Sequence, residues 1–173
     1  MKSIIHFEPI HPKVYQSYIA IGTQAYNQHY SHLWPNKNTA PYIKGNFTRD
    51  VLKKEETNNN TILYRILQQQ QTIGILKITL ESALDNYTKA LCLNKIYILK
   101  EFSGQGIGKK ALQFVMLRAK EMNKNIVWLR VMQQGPALNF YLKNNFKILK
   151  QAEVPFSEIL KNERLMWVLM KKV

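Results

Sequence analysis

The residues best equipped for chemistry run from Ser103 to Lys109, in the order Ser103-Gly-Gln-Gly-Ile-Gly108-Lys109. Three glycines within five residues let a backbone turn tightly and come close to a ligand. The helix that follows opens with N–H groups that have no intrahelical partner and lie at the positive end of its dipole. A strand feeding such a loop is a ready phosphate cradle. Gly-x-Gly turns also open helices that bind nothing, so the loop alone leaves phosphate binding and a plain turn evenly matched. A second concentration lies upstream, where Tyr26, His29, Tyr30, His32, Trp34, Tyr42 and Phe47 make one segment unusually aromatic. Aromatic faces bind cations and apolar groups, and they also simply cover sheets. Cys92 stands alone in an apolar strand, where a cysteine usually belongs to the core.

The elements that must position these residues are legible as one α/β unit. Ser3–Phe7 reads as a first strand, and Pro12 suits the first turn of a helix that ends before Trp34-Pro35. Residues 36–46, with Pro41 and Gly45, read as a loop, and 48–56 as a short helix. Thr61–Leu67 and Thr72–Leu80 form a hairpin around Gln68–Gln71. Leu91–Leu99 is an apolar strand entering the glycine loop. The helix after it, to about Met122, places Ile107, Ala111, Val115, Ala119 and Met122 on one face. Ile126–Val131 is a buried strand, Pro136 opens a short helix, and Phe146–Leu149 and Arg164–Met170 close the fold. A strand–helix–strand unit pairs 91–99 parallel with 126–131.

Composition narrows the function. The chain has 173 residues, 46% of them hydrophobic, and carries 25 Lys and Arg against 11 acids, a net charge of +14. It is long enough for one domain, 1–173, with a full core. No apolar run reaches membrane-spanning length, and the N-terminus lacks a signal-peptide pattern. A single cysteine excludes an internal disulfide and fits a reducing cytoplasm. The positive charge attracts anions, but the basic residues are scattered, and no nucleic-acid-binding motif accompanies them.

Two motifs together resemble the GNAT N-acetyltransferase superfamily. The family's loop, Gln/Arg-x-x-Gly-x-Gly/Ala, aligns with Ser103-Gly-Gln-Gly-Ile-Gly108: Gly106 and Gly108 match, and Ser103 replaces the Gln or Arg. The family's Asn-x-x-Ala-x-x-Phe-Tyr, followed by Gly-Phe, aligns with Gln134-Gly-Pro-Ala137-Leu-Asn-Phe-Tyr141 and then Asn145-Phe146. Asn145 replaces glycine and tolerates a left-handed backbone better than most residues. The resemblance covers residues 91–150 closely and the rest by element order. It implies a mixed, mostly antiparallel sheet of about seven strands with a parallel pair at the centre and about four flanking helices, the acyl-CoA N-acyltransferase-like class.

The resemblance also implies chemistry. Acetyl-CoA would donate an acetyl group to a primary amine of a small molecule or peptide, by direct attack and without a metal. The amides of Gly104, Gln105, Gly106, Ile107, Gly108 and Lys109 would hold the cofactor's pyrophosphate, with Ser103 and Gln134 at the borders, and backbone groups of Tyr97, Ile98 and Leu99 would pair with its pantetheine arm. An N–H near Ile98 or Leu99 would stabilise the thioester oxygen. Tyr141 would protonate the leaving thiolate; packing beside Phe140 is the plain alternative. The family's strand glutamate is missing, since Asn94 and Lys95 stand there, so Glu81 becomes the candidate base, with Asp85, His29, His32 or a water chain as alternatives. His29, Tyr30 and Trp34 would line the acceptor site. Expected partners are the amine acceptor and, at most, a second copy of the chain as a homodimer, with neither membrane nor nucleic acid. Two other functions remain open: an acyl-CoA-binding module without catalysis, and a basic nucleic-acid- or ribosome-associated protein on the same scaffold.

Overall fold

The computed structural model describes residues 4–173. The first strand, β1, covers Ile5–Pro9; the Ser3 start read from the sequence lies outside the described residues. A 3-10 turn begun by Pro12 leads into α1, Tyr15–Tyr30, which buries Tyr15, Tyr18, Gly22, Ala25 and Tyr26 along one face. The segment read as a loop contains a helix, α2, Ala40–Asn46. Pro41 sits in its first turn, where the missing N–H has no intrahelical role and the fixed φ favours the helix. Thr48 caps α3, Arg49–Glu56, accepting a hydrogen bond from the Val51 N–H at 3.3 Å.

Strands β2, Thr61–Gln68, and β3, Gln71–Thr79, form the expected hairpin. Its turn is only Gln69-Gln70, both at positive φ, the two-residue geometry that matches strand twist. There follow β4, Ala90–Ile98, then α4, Ile107–Glu121, and β5, Ile126–Met132. The chain closes with α5, Pro136–Lys143, β6, Lys147–Glu153, and β7, Leu165–Lys172. Asn145 takes φ 65°, the left-handed geometry anticipated from its place after α5.

The seven strands form one sheet in the order β1-β2-β3-β4-β5-β7-β6, with β4 and β5 the parallel pair. One face packs against α4 and α5 through Leu91, Leu93, Val127, Leu129 and Val131. The other lies under α1–α3, where Ile75, Tyr97 and Met132 meet Tyr18, Tyr26 and Tyr42.

Two irregularities in β4 set up the site. The register with β3 shifts between Lys77 and Ile78, which leaves Asn94 as an extra residue in β4. Such a bulge bends a strand and redirects its side chains. Parallel pairing with β5 runs only from Ala90↔Ile126 to Cys92↔Trp128, and beyond it the strands diverge. On the opposite edge β4 is clamped against β3 at Gly74. A Cβ there would lie 2.6 Å from the Tyr97 carbonyl oxygen, so only glycine allows this approach. Gly74→Ala should therefore cost about 1–3 kcal/mol of stability, read as a lower urea midpoint at unchanged m-value.

Candidate active site

The divergence of β4 and β5 opens a wedge whose β4 wall is bare main chain. Leu99 donates its N–H to the Ile73 carbonyl at 2.9 Å, so Leu99 faces β3. Antiparallel strands alternate hydrogen-bonded and open positions, so Tyr97 also faces β3, while the N–H and C=O of Ile96 and Ile98 face the wedge. This narrows the sequence expectation: Leu99 is already engaged, and Ile98 carries the free donor. The Ile98 carbonyl accepts a hydrogen bond from His29 Nε2 at 2.8 Å. A carbonyl only accepts, so Nε2 carries a proton, and in the neutral form of the ring the lone pair is on Nδ1.

The glycine loop lies where β4 ends. Gly104 and Gly106 take φ of 77° and 78°. Gly106 is the N-cap of α4 and provides no side-chain cap, so the first-turn amides stay open. A Cβ on Gly104 or Gly106 would meet nothing within 4 Å, so the space beside both residues is open. Gly108 differs: a Cβ there would stand 3.1 Å from the Phe140 ring, so this glycine lets α4 pack on α5. Ser103 and Gln105 turn back on the loop, Ser103 Oγ towards the Leu99 carbonyl at 3.5 Å and Gln105 Nε2 to the Glu101 carbonyl at 3.1 Å. Gln134 is exposed just before α5.

Tyr141, on α5, stacks edge-on with Phe140 and Phe146 at ring separations of 5.1 and 5.6 Å. Burial, with a smaller contribution from the Tyr30 phenol, pushes its hydroxyl well above the ordinary tyrosine range. The group therefore holds its proton at neutral pH. On the other side of the sheet Tyr30 packs against Tyr97 and Tyr26, with ring centroids at 5.6 and 5.2 Å. Tyr42 and Tyr97 join hydroxyls at 2.7 Å. His29, Tyr30, Tyr97, Ile98 and Tyr141 thus converge on the end of β4 that adjoins the glycine loop.

This fold and this site define a class. Residues 59–148, more than half of the chain, match the acetyltransferase (GNAT) domain, and the chain belongs to that N-acetyltransferase family. An uncharacterized N-acetyltransferase encoded in the pepI 3' region of Lactobacillus delbrueckii subsp. lactis is 24% identical over 127 residues, 72% of this chain and 73% of that protein. The fold is similar to that of a PaiA N-acetyltransferase from Thermoplasma acidophilum crystallised with coenzyme A. There the TM-score is 0.78 at 16% identity, over 98% of this chain and 99% of that one. A probable acetyltransferase from Staphylococcus epidermidis aligns with a TM-score of 0.76 at 13% identity, over 98% and 99% of the two chains.

Several sequence candidates fall outside the convergence. Glu81 follows β3 at the far end of β4, because Thr79 pairs with Cys92. Six residues of β4, roughly 20 Å of strand, separate Cys92 from Ile98. Glu81 is instead exposed and paired with Lys124. Asp85 pairs with Lys150, and His32 is exposed. Trp34 is 2% exposed and donates its indole N–H to the Tyr26 hydroxyl at 3.0 Å, so it supports the aromatic wall from behind and offers it no free face. Burial pushes the Cys92 thiol up to about 12, which removes the thiolate an acyl-carrying nucleophile needs.

The residue that sequence reasoning passed over is Lys95. Against the family pattern it registers only as the absence of a glutamate, although a lysine inside Leu-Cys-Leu-Asn-Lys-Ile-Tyr-Ile-Leu is itself a signal. It is 7% exposed, lies over the rings of Phe47 and Tyr42 at 5.3 and 5.9 Å, and donates to Asn46 Oδ1 at 2.7 Å. Burial first, then the Lys77 charge, lower its ammonium from 10.5 to about 7, against a smaller opposing pull from Glu55. Between those limits the unfolded chain binds the extra proton, so stability rises with pH across the window and is flat below it. Lys95→Met keeps the length and removes the charge. It should raise stability at neutral pH and abolish most of that rise, measured as urea midpoints across the window.

Proposed function

We propose that the wedge is where this chain passes the acetyl group of acetyl-CoA directly to a primary amine of a small molecule or peptide. The observation that carries this reading is the free edge of β4 ending at a glycine loop with open space above its amides. When bound, acetyl-CoA supplies an acetyl carbon activated by a sulfur leaving group. The amides from Gly104 to Lys109 would hold the pyrophosphate, with Ser103 and Gln134 at the rim. The open N–H and C=O of Ile96 would pair with the pantetheine arm in the manner of an added strand.

The remaining roles belong to groups already near that edge. The Ile98 N–H would meet negative charge as it develops on the thioester oxygen. The Tyr141 hydroxyl, kept protonated by burial, would donate to the departing sulfur. His29 Nδ1 has the free lone pair needed to take a proton from the incoming amine, directly or through a water, and stands in for Glu81 as the base. His29, Tyr30 and Tyr97 would form the acceptor wall, with Trp34 holding Tyr26 behind them.

Two measurements test this reading. Acetyl-CoA should raise the melting temperature in a dose-dependent way, since it binds only the folded chain; no shift and no calorimetric heat at saturating dose would remove the assignment. Turnover with a panel of primary amines should then be lowered in Tyr141→Phe by roughly 100-fold in kcat, with cofactor affinity little changed. A loss confined to KM would make Tyr141 a binding residue.

A further inference from the structure

Residues 154–164 join β6 to β7, and one side chain holds their conformation. Arg164 donates from Nε to the Ile159 carbonyl at 2.8 Å and from Nη2 to the Ser157 carbonyl. Its own carbonyl accepts from the Val154 N–H at 2.9 Å, which ties the two ends of the segment together. The guanidinium has no carboxylate partner among the described residues, so the donors of its rigid fork go to loop main chain.

The loop so held bridges the wedge. Its root lies beside the end of β5: Met132 pairs with Met166, and Gln133 donates its N–H to the Leu165 carbonyl at 3.0 Å. Its middle reaches the segment after α1. The Leu160 N–H donates to the Leu33 carbonyl at 3.0 Å, and the Phe156 ring lies 5.6 Å from Trp34 and 5.5 Å from Tyr42. Tyr42 in turn is bonded to Tyr97 on β4. The sheet runs β4-β5-β7, so a chain rooted at β7 that touches the partners of β4 crosses the end of β5. It crosses on the face of Tyr97 and Met132, the face that carries α1 and its His29. Ile159, 3% exposed, packs in the same cluster as those two residues.

We propose that Arg164 is a positioning residue for the acetyl acceptor: it holds this bridge closed, so that the wedge admits a small-molecule amine and not a polypeptide. The proposal rests on the reading of the wedge as an acetyl-transfer site. A surface loop is mobile unless something ties it down. A ligand that needs one loop conformation binds more weakly in proportion to how rarely that conformation is populated. With Arg164 in place, Phe156 backs the aromatic wall before the acceptor arrives. A peptide would have to displace the bridge and break its bond to Leu33, whereas a small amine passes beside it.

The test measures acetylation of n-alkylamines, and of short peptides with a free N-terminus or a lysine, under saturating acetyl-CoA. The unaltered protein should favour the alkylamines by roughly 10-fold or more in kcat/KM. Arg164→Ala should raise KM for the alkylamines roughly 10-fold with kcat little changed, and narrow the gap to the peptides. Arg164→Lys, which keeps the charge without the fork, should fall between. Phe156→Leu leaves Arg164 in place, takes the ring away from Trp34 and Tyr42, and should also raise KM. In Arg164→Ala the Leu160 N–H should lose protection from hydrogen exchange while the amides of β3 and β4 keep theirs. An unchanged KM in Arg164→Ala, or peptides acetylated as well as alkylamines by the unaltered protein, overturns the proposal and leaves the acetyl-transfer reading standing. Should no amine of either kind be acetylated, that reading fails and the proposal with it. If Arg164→Ala loses protection throughout the sheet, Phe156→Leu decides, and an unchanged KM there overturns the proposal.

Discussion

The site depends on two parallel strands that stop pairing. A strand in the middle of a sheet normally satisfies both of its edges, and a buried edge left open is unfavourable. Here β4 and β5 pair over three residues and then separate. The exposed main chain of Ile96 and Ile98 is tolerable because it faces a cleft that water or a ligand can enter. Everything with chemical potential gathers at this opening: the glycine loop that continues β4, the α5 tyrosine beyond it, and the histidine of α1 already bonded to it. The clamp at Gly74 supports the arrangement from the other edge, since β4 can leave one neighbour only while it is held firmly by the other.

The fold was largely legible because its signals are local. Periodicity placed nearly every strand and helix, and the order of elements required the parallel pair. Pro41 and Gly45 misled where they mark the ends of α2, because the same residues punctuate loops and begin or end helices. The glycine loop was legible from spacing alone as a tight turn that opens a helix, but the division of labour within it was not. Gly104 and Gly106 meet a backbone requirement, whereas Gly108 answers to Phe140, which is distant in sequence.

Side-chain roles were less legible because they depend on which face and which end of a strand a residue occupies. Glu81 is near β4 in chain order, yet antiparallel pairing carries it to the far end. Trp34 belongs to the aromatic segment, yet its ring lies behind the wall. Lys95 was visible as an anomaly, but its meaning required knowing that Lys77 stands opposite it and that Glu55 is shared between them. His29 was one of several histidines and acids until its bond to the Ile98 carbonyl fixed both its position and its tautomer.

The extra residue at Asn94 acts as a phase shift in β4. Before it, the even-numbered Ala90 and Cys92 point to the side of the sheet that bears Trp128; after it, the odd-numbered Lys95 and Tyr97 do. The strand is thus two half-strands with independent alternation. Without that one residue Leu93 would be followed directly by Lys95, and plain alternation would keep Lys95 and Tyr97 on the same side as Cys92, so the bulge is what lets β4 carry an extra residue without exchanging the faces downstream. An extra residue carried in plain alternation would instead send Lys95 and Tyr97 towards α4 and bring Ile96 and Ile98 under the aromatic helices, a larger change than any substitution in β4 could make.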